Sequence, residues 1–436
     1  MDERMHSKRI LAKDRYVSND TRETGLNNND IVIGGSGSGK TGGYVIPNIR
    51  QPYGSLIITD TKGNLYKKYG KELKAAGYAV RVLDFINPRN STFSYNPLEY
   101  IRREPKTQKY SELDIMTLAR TLAPEICEKD PFWNDCARTV LSFLLAFTLE
   151  ALPEKEHNMS SVAELFRVVS DSGNTKICDE WEVSHPESLA TKKYQMFKHL
   201  SDADRTWSCV MQVAAEALEI FGSEEVVDLY APRLRIGKSE RIEDLGNKKM
   251  ALFLNISDTD RSRDRLINVF YTQALHQLCN AADRNSNSRL KVPVRFILDD
   301  FAANAYIPDF DKIISIIRSR EISVSLILQS LTQLQTMYKP AQAITIINNC
   351  DHMIYLGSQD LESAKHVGYR ACKTMESVLS MPLDKAYLME RGRKAELVNK
   401  IKPYSEEYRS ADDREMEQEA MPEKITEKSR QDEIVA

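Results

Sequence analysis

The chain lacks any apolar run of about 20 residues, the length a helix needs to cross a bilayer. Its best candidate, Val140–Phe147 (VLSFLLAF), has the length of a buried helix. No signal peptide is visible either: residues 1–28 are polar and mixed in charge and are expected to be an N-terminal linker. A soluble, cytoplasmic chain is expected. Cysteine is sparse and scattered. Residues 127, 136, 178, 209, 279, 350 and 372 are odd in number and form no C-x-x-C pair, which argues against a disulfide framework or a zinc site. They are expected to be small buried hydrophobes. No internal repeat and no low-complexity tract is present.

What is present is ordinary in bulk and uneven in distribution. The 436 residues are 42% hydrophobic and 28% charged, a globular composition spread over about two to three domains. The net charge of −3 conceals an asymmetry. Residues 106–245 carry 16 basic and 25 acidic groups, a net of −9. Residues 403–436 carry 5 basic and 11 acidic groups, a net of −6. The rest, 1–105 with 246–402, therefore stands at +12. Parts of opposite sign are expected to face different partners.

Short apolar runs at 31–33, 55–60 and 79–85 are bounded by Gly, Pro, Asn or Asp and alternate with helix-like segments. That rhythm predicts a parallel α/β sheet. It stops between about Lys106 and Gly246, where apolar residues recur at three-to-four spacing, a helical pattern. Strand-like runs return at 250–257, 294–301, 323–330 and 352–358. The expected organisation is a linker (1–28), an α/β core in two parts (29–105 and 246–402), an all-helical insertion (106–245) and an acidic disordered tail (403–436).

The segment GGSGSGKT comprises Gly34, Gly35, Ser36, Gly37, Ser38, Gly39, Lys40 and Thr41. It satisfies G-x-x-x-x-G-K-[ST] and follows a strand, as a phosphate-binding loop must. Its backbone N–H groups can close around phosphates, Lys40 can reach the β/γ-phosphates, and the Thr41 hydroxyl can hold Mg²⁺. A second metal anchor is required at a strand end, and VRFILDDFA supplies Asp299. Asp300 stands where such ATPases carry the residue that polarises the attacking water. Gln329 ends another strand and is a candidate γ-phosphate sensor. Arg318 and Arg320 lie between these strands, and either can act as an arginine finger on a neighbouring subunit. Asp60–Gly63 fits the D-x-x-G of GTPases, but no N-K-x-D guanine-reading motif occurs, so GTP specificity is disfavoured.

In order along the chain come the phosphate loop, DTKGNL, FSYNPL, DPFWNDCAR, ILDDFA and ILQSLTQL. This series resembles the type IV coupling proteins, the TraG-like ATPases of conjugation and type IV secretion, over about residues 30–400. The resemblance implies a RecA-like motor core interrupted by an all-helical domain, using ATP and Mg²⁺. It also implies hexamers at the inner face of the plasma membrane that pass relaxase-bound single-stranded DNA, or effector proteins, to a secretion channel. By that resemblance Lys40 and Thr41 belong to the Walker A motif, Asp299 and Asp300 to Walker B, Gln329 to the strand-end glutamine and Arg318 to the trans arginine.

Two departures stand out. The family usually has Glu where this chain has Asp300, and usually carries N-terminal membrane helices, whereas here only residues 1–33 precede the loop. The anchor is then lost, removed or supplied by a separate chain. The charge split predicts that the acidic insertion receives a basic protein partner, such as the relaxase, and that DNA contacts the basic core. Two other readings compete: a DNA pump of the FtsK or HerA kind, and an ATP-dependent docking receptor with little turnover.

Overall fold

The computed structural model describes residues 8–61, 63–124, 132–172, 175–201, 204–230, 240–301 and 306–402. Its centre is a nine-stranded sheet. Seven strands are parallel: β3 (Asp30–Ile33), β4 (Ser55–Asp60), β5 (Ala79–Asp84), β6 (Met250–Asn255), β7 (Val294–Leu298), β8 (Ile322–Leu328) and β9 (His352–Tyr355). Two antiparallel strands, β10 (Lys385–Glu390) and β11 (Glu396–Asn399), extend the β9 edge. The order across the sheet is β11-β10-β9-β3-β8-β7-β4-β6-β5.

Successive side chains of a strand point to opposite faces, and here both faces are apolar. Ile31, Ile33, Leu252, Leu254, Phe296, Leu298, Leu326 and Leu328 lie in one buried cluster. Their neighbours Val32, Ala251, Phe253, Ile297 and Ile327 lie in the other. This is why the central strands read as unbroken apolar runs. On the second face sit α1 (Ile46–Arg50) and α2 (Asn64–Ala75), the latter burying Leu65, Tyr69 and Leu73 one turn apart.

On the first face lies α10 (Asp264–Asp283), which continues into the helical region. Between β5 and β6 the described residues form seven α-helices: α3 (Glu112–Leu122), α4 (Phe132–Ala151), α5 (Met159–Ser172), α6 (Lys176–Ser184), α7 (Leu189–Ser201), α8 (Asp204–Leu218) and α9 (Glu224–Tyr230). Helix α4 is the hub. It is apolar nearly all round, buries residues from Val140 to Leu149, and packs against α3, α5, α7 and α8. No helix among the described residues is long and apolar enough to cross a membrane.

Two expectations need correction. Residues 8–18 are not linker: β1 (Lys8–Ala12) and β2 (Arg15–Ser18) form an antiparallel hairpin that buries Ile10, Leu11 and Ala12. Its charged residues hide this, because one of them, Arg9, is itself buried against Asp30 at 2.8 Å. The cysteines are not uniformly buried: Cys136, Cys178 and Cys350 are, Cys279 is intermediate, and Cys209 and Cys372 are exposed. The D-x-x-G segment has a local role, since the Asp60 carboxylate accepts the Tyr66 N–H at 2.9 Å and Gly63 starts α2 from a left-handed φ of 64°. Cys127, Lys62, the first two residues of DPFWNDCAR and the acidic tail at 403–436 lie outside the described residues.

Candidate nucleotide-binding site

Strand β3 ends at Ile33, and Gly34–Thr41 turns the chain into a helix. The glycines are required by crowding and by backbone sign. A Cβ on Gly34 would lie 2.2 Å from Ser38 Oγ and 3.0 Å from Leu356 Cβ. Gly37 and Gly39 have φ values of 73° and 92°, which L-residues with side chains avoid. The loop is pinned to its neighbours: Gly34 N–H donates to Leu328 O at 3.0 Å and Gly35 N–H to Gly357 O at 2.9 Å.

The helix that follows begins with a π-wound turn, Thr41–Val45, in which Ile46 N–H donates to Thr41 O five residues back. Pro47 comes next and has no N–H to offer, so the regular α ladder cannot run through this point. Single π-turns of this kind cluster at functional sites.

The structure brings Lys40, Thr41, Asp299, Asp300 and Gln329 together at the carboxyl ends of β3, β7 and β8. Thr41 Oγ1 donates to Asp299 Oδ2 at 2.7 Å. Lys40 is buried, and its ammonium donates to Gly34 O at 2.7 Å and Gly35 O at 3.0 Å. Burial pushes the Lys40 pKa down, against the pull of Asp300 and Asp299. Burial also pushes the Asp299 carboxyl up to about 6, with the Thr41 bond opposing and Asp300 adding to it. Asp300 carries a left-handed φ of 50°, a conformation Asp tolerates better than most residues. Its carboxylate lies 3.4 Å from Gln329 Nε2.

Ser38 Oγ is buried without a hydrogen-bond partner, an unmet polar group in a loop shaped to take one. A hydroxyl beside a carboxylate, next to a lysine, is a donor set that suits Mg²⁺ held between Thr41, Asp299 and phosphate oxygens.

Arg318 and Arg320 lie elsewhere. Arg318 is exposed, precedes β8 and donates to Gly25 O at 3.2 Å. Gln329 follows β8, so the strand's length, roughly 20 Å, separates the arginine from its own phosphate loop. Arg320 is paired with Asp283 at 2.8 Å.

Two features had no sequence signal. The first is a buried charge cluster beneath the sheet. Asp30, fully buried at the start of β3, meets Arg9 at 2.8 Å, Arg295 at 3.4 Å and the Tyr44 hydroxyl at 2.5 Å. Burial raises the Asp30 pKa, but Arg9, a hydrogen bond with His352 and Arg295 together outweigh it and hold the carboxyl well below the usual carboxylate range. Tyr44 belongs to the π-turn, so the cluster is tied directly to the helix that follows the phosphate loop. The second is Lys400, one residue beyond β11, whose ammonium reaches the loop.

Strand order, a phosphate loop on a central strand and a strand-end acid bonded to its threonine define a RecA-like P-loop nucleotide-binding core. The comparisons agree. A family model described as "Type IV secretory system Conjugative DNA transfer" matches residues 2–378, and the chain belongs to that family.

Protein VirD4 of Agrobacterium fabrum is 22% identical over 351 residues, covering 77% of this chain and 48% of the relative. Protein VirD4 of Rhizobium rhizogenes gives the same figures, 22% over 351 residues. The chain thus spans about half the length of the curated relatives it matches, 48% in each case. Among solved structures, plasmid coupling protein TrwB in complex with ADP and Mg²⁺ has a TM-score of 0.64 at 14% identity, covering 86% of both chains. VirB4 of Thermoanaerobacter pseudethanolicus has a TM-score of 0.53 at 13% identity, covering 93% of this chain and 99% of the other. These structural likenesses establish the fold.

Proposed function

We propose that this chain is a coupling ATPase that binds ATP and Mg²⁺ and uses turnover to help drive conjugative transfer through a type IV secretion channel. The observation that carries this reading is the Thr41–Asp299 bond of 2.7 Å beside Lys40, in a chain of the conjugative DNA transfer family. TrwB, whose fold this chain shares, binds ADP and Mg²⁺.

In this reading Lys40 supplies positive charge to the β/γ-phosphates, and Thr41 and Asp299 hold the metal. Mg²⁺, when bound, neutralises the phosphate oxygens on which charge develops. Asp300 orients and deprotonates the attacking water, and Gln329, beside it, reports whether the γ-phosphate is present. Arg318 completes the site of a neighbouring subunit in a homohexamer, the geometry consistent with its place at the far end of β8. Single-stranded DNA is contacted by the basic parts of the chain. The helical region, net −9 over residues 106–245, receives a basic protein partner such as a relaxase. Work at the inner face of the plasma membrane follows from the same reading.

A second reading has its own observation. Asp300 is one methylene shorter than the glutamate expected there, and its backbone is strained at a φ of 50°. A docking receptor that binds ATP and turns it over slowly fits that shorter reach.

ATP turnover of the purified chain, with and without single-stranded DNA and beside Lys40→Ala, decides between them. DNA-stimulated turnover abolished by Lys40→Ala supports the motor. Tight ATP binding with negligible turnover under both conditions supports the receptor.

A further inference from the structure

Lys400 stands one residue beyond β11, and its place is well determined by its surroundings. Its N–H donates to Asp384 O at 2.8 Å, and the next residue, Ile401, is 3% exposed. The Ile401 carbonyl oxygen lies 3.3 Å from where a Cβ on Gly43 would be, so this strand end packs directly on the turn after the phosphate loop. The half-buried Lys400 ammonium donates to two main-chain carbonyls, Leu356 O at 2.6 Å and Ser38 O at 3.3 Å. Leu356 follows β9 and its own N–H donates to Ile33 O at 2.7 Å. One cation therefore joins the edge hairpin, the end of β9 and the middle of the phosphate loop.

The chemistry follows from the planarity of the peptide. In a trans peptide the C=O of one residue and the N–H of the next point in opposite directions. Gripping the Ser38 carbonyl from outside the loop therefore turns the Gly39 N–H to the other side. Gly39, at a φ of 92°, leaves that peptide free to rotate unless something holds it. Rotated the other way, the same peptide would present an oxygen where an anion needs a donor.

We propose that Lys400 is a positioning residue for the phosphate loop, holding the Ser38–Gly39 peptide so that its N–H is presented to the nucleotide's phosphates. This rests on the reading of Gly34–Thr41 as the nucleotide site. Two lysines then serve one loop: Lys40 directly, and Lys400 through the backbone.

The test is calorimetric titration of the full chain with Mg-ADP, comparing wild type, Lys400→Met, Lys400→Arg, Lys400→Gln and Lys40→Ala. Lys400→Met keeps the apolar stem and removes the donors, and is expected to weaken binding about tenfold, the scale of a charged hydrogen bond. Lys400→Arg restores affinity to within about threefold, and Lys400→Gln, with fewer donors, falls between. A merely structural role would lower the unfolding midpoint without nucleotide and leave the affinity of the folded protein unchanged. Should Lys400→Met fail to fold, the order Arg, then Gln, carries the test. Wild-type affinity in Lys400→Met or Lys400→Gln, with binding lost in Lys40→Ala, overturns the role of Lys400 alone. No binding by the wild type overturns the nucleotide site and this inference together.

Discussion

Both ends of the central sheet set aspartates beside basic side chains, and the two ends arrange them in opposite ways. At the amino ends of the strands, the Asp30 carboxylate is closed in by Arg9, Arg295, His352 and Tyr44, all from within the protein. At the carboxyl ends, Asp299 and Asp300 are adjacent, Ser38 Oγ is unpaired, and Asp300 sits in a strained backbone conformation. Buried charges that only support the fold are neutralised internally, because leaving one unpaired costs several kcal/mol. Charges meant for a ligand retain capacity, and the fold carries the cost of that. Tyr44 joins the two ends, since it lies in the π-turn that begins at Thr41 and bonds to Asp30.

The comparison is broken most severely at the phosphate end by Asp300→Ala. Turnover should fall on the order of 100-fold or more, the range for loss of a general base, with ATP binding retained in a titration. Unchanged turnover would remove Asp300 from the reaction, and Asp300→Glu should retain activity if the longer side chain finds the same water.

At the closed end, Asp30→Asn leaves two guanidiniums facing a neutral group and should cost roughly 3–5 kcal/mol in urea unfolding. Because the folded pKa is depressed, the stabilisation from Asp30 is complete above the ordinary carboxylate value of 3.8 and is lost as pH falls below it. The wild type should therefore lose more stability than Asp30→Asn between pH 5 and the lowest pH at which it stays folded, and parallel curves would refute the assignment.

Tyr44→Phe probes the link. It removes one hydrogen bond to a buried carboxylate, about 1.5–3 kcal/mol, and should weaken Mg-ADP binding as well as stability, by titration and thermal melt. Loss of stability alone would show that the two ends are uncoupled.

Asp300→Gly sharpens the contrast with the smallest expected change in stability. Relief of the left-handed strain is partly offset by the extra freedom glycine gives the unfolded chain, so stability should rise by less than about 1 kcal/mol, while turnover falls as in Asp300→Ala.

The phosphate end was legible from local sequence alone. The strands are continuous apolar runs; Asp299, Asp300 and Gln329 directly follow two of them, and Lys40 and Thr41 close the loop after a third, so reading the motif also located the residue. The closed end was not legible, because nothing local distinguishes Arg9 in KRILA from a surface arginine. Its burial depends on Asp30, Arg295 and His352, brought together only by the strand order. The antiparallel edge was hidden for a related reason. In β11 only Val398 is buried, so an edge strand of this kind has no apolar run to read, and Lys400 was hidden with it. Arg318 was identified without its distance: its position before β8 already put it at the far end from its own loop.

The helical region has a consequence for how such a protein can vary. Its chain leaves β5 at Asp84 and returns at Met250 in β6, and these two strands are parallel neighbours, Ala79 pairing with Met250 and Asp84 with Asn255. Every parallel neighbour pair requires a crossover of at least a dozen or so residues; here that obligatory bridge has swollen roughly tenfold. The entropy of closing a loop grows only logarithmically with its length, about 0.6 kcal/mol per doubling, so the enlargement costs the sheet about 2 kcal/mol. The helical region can thus change in size and surface while the strands on either side of it keep their register.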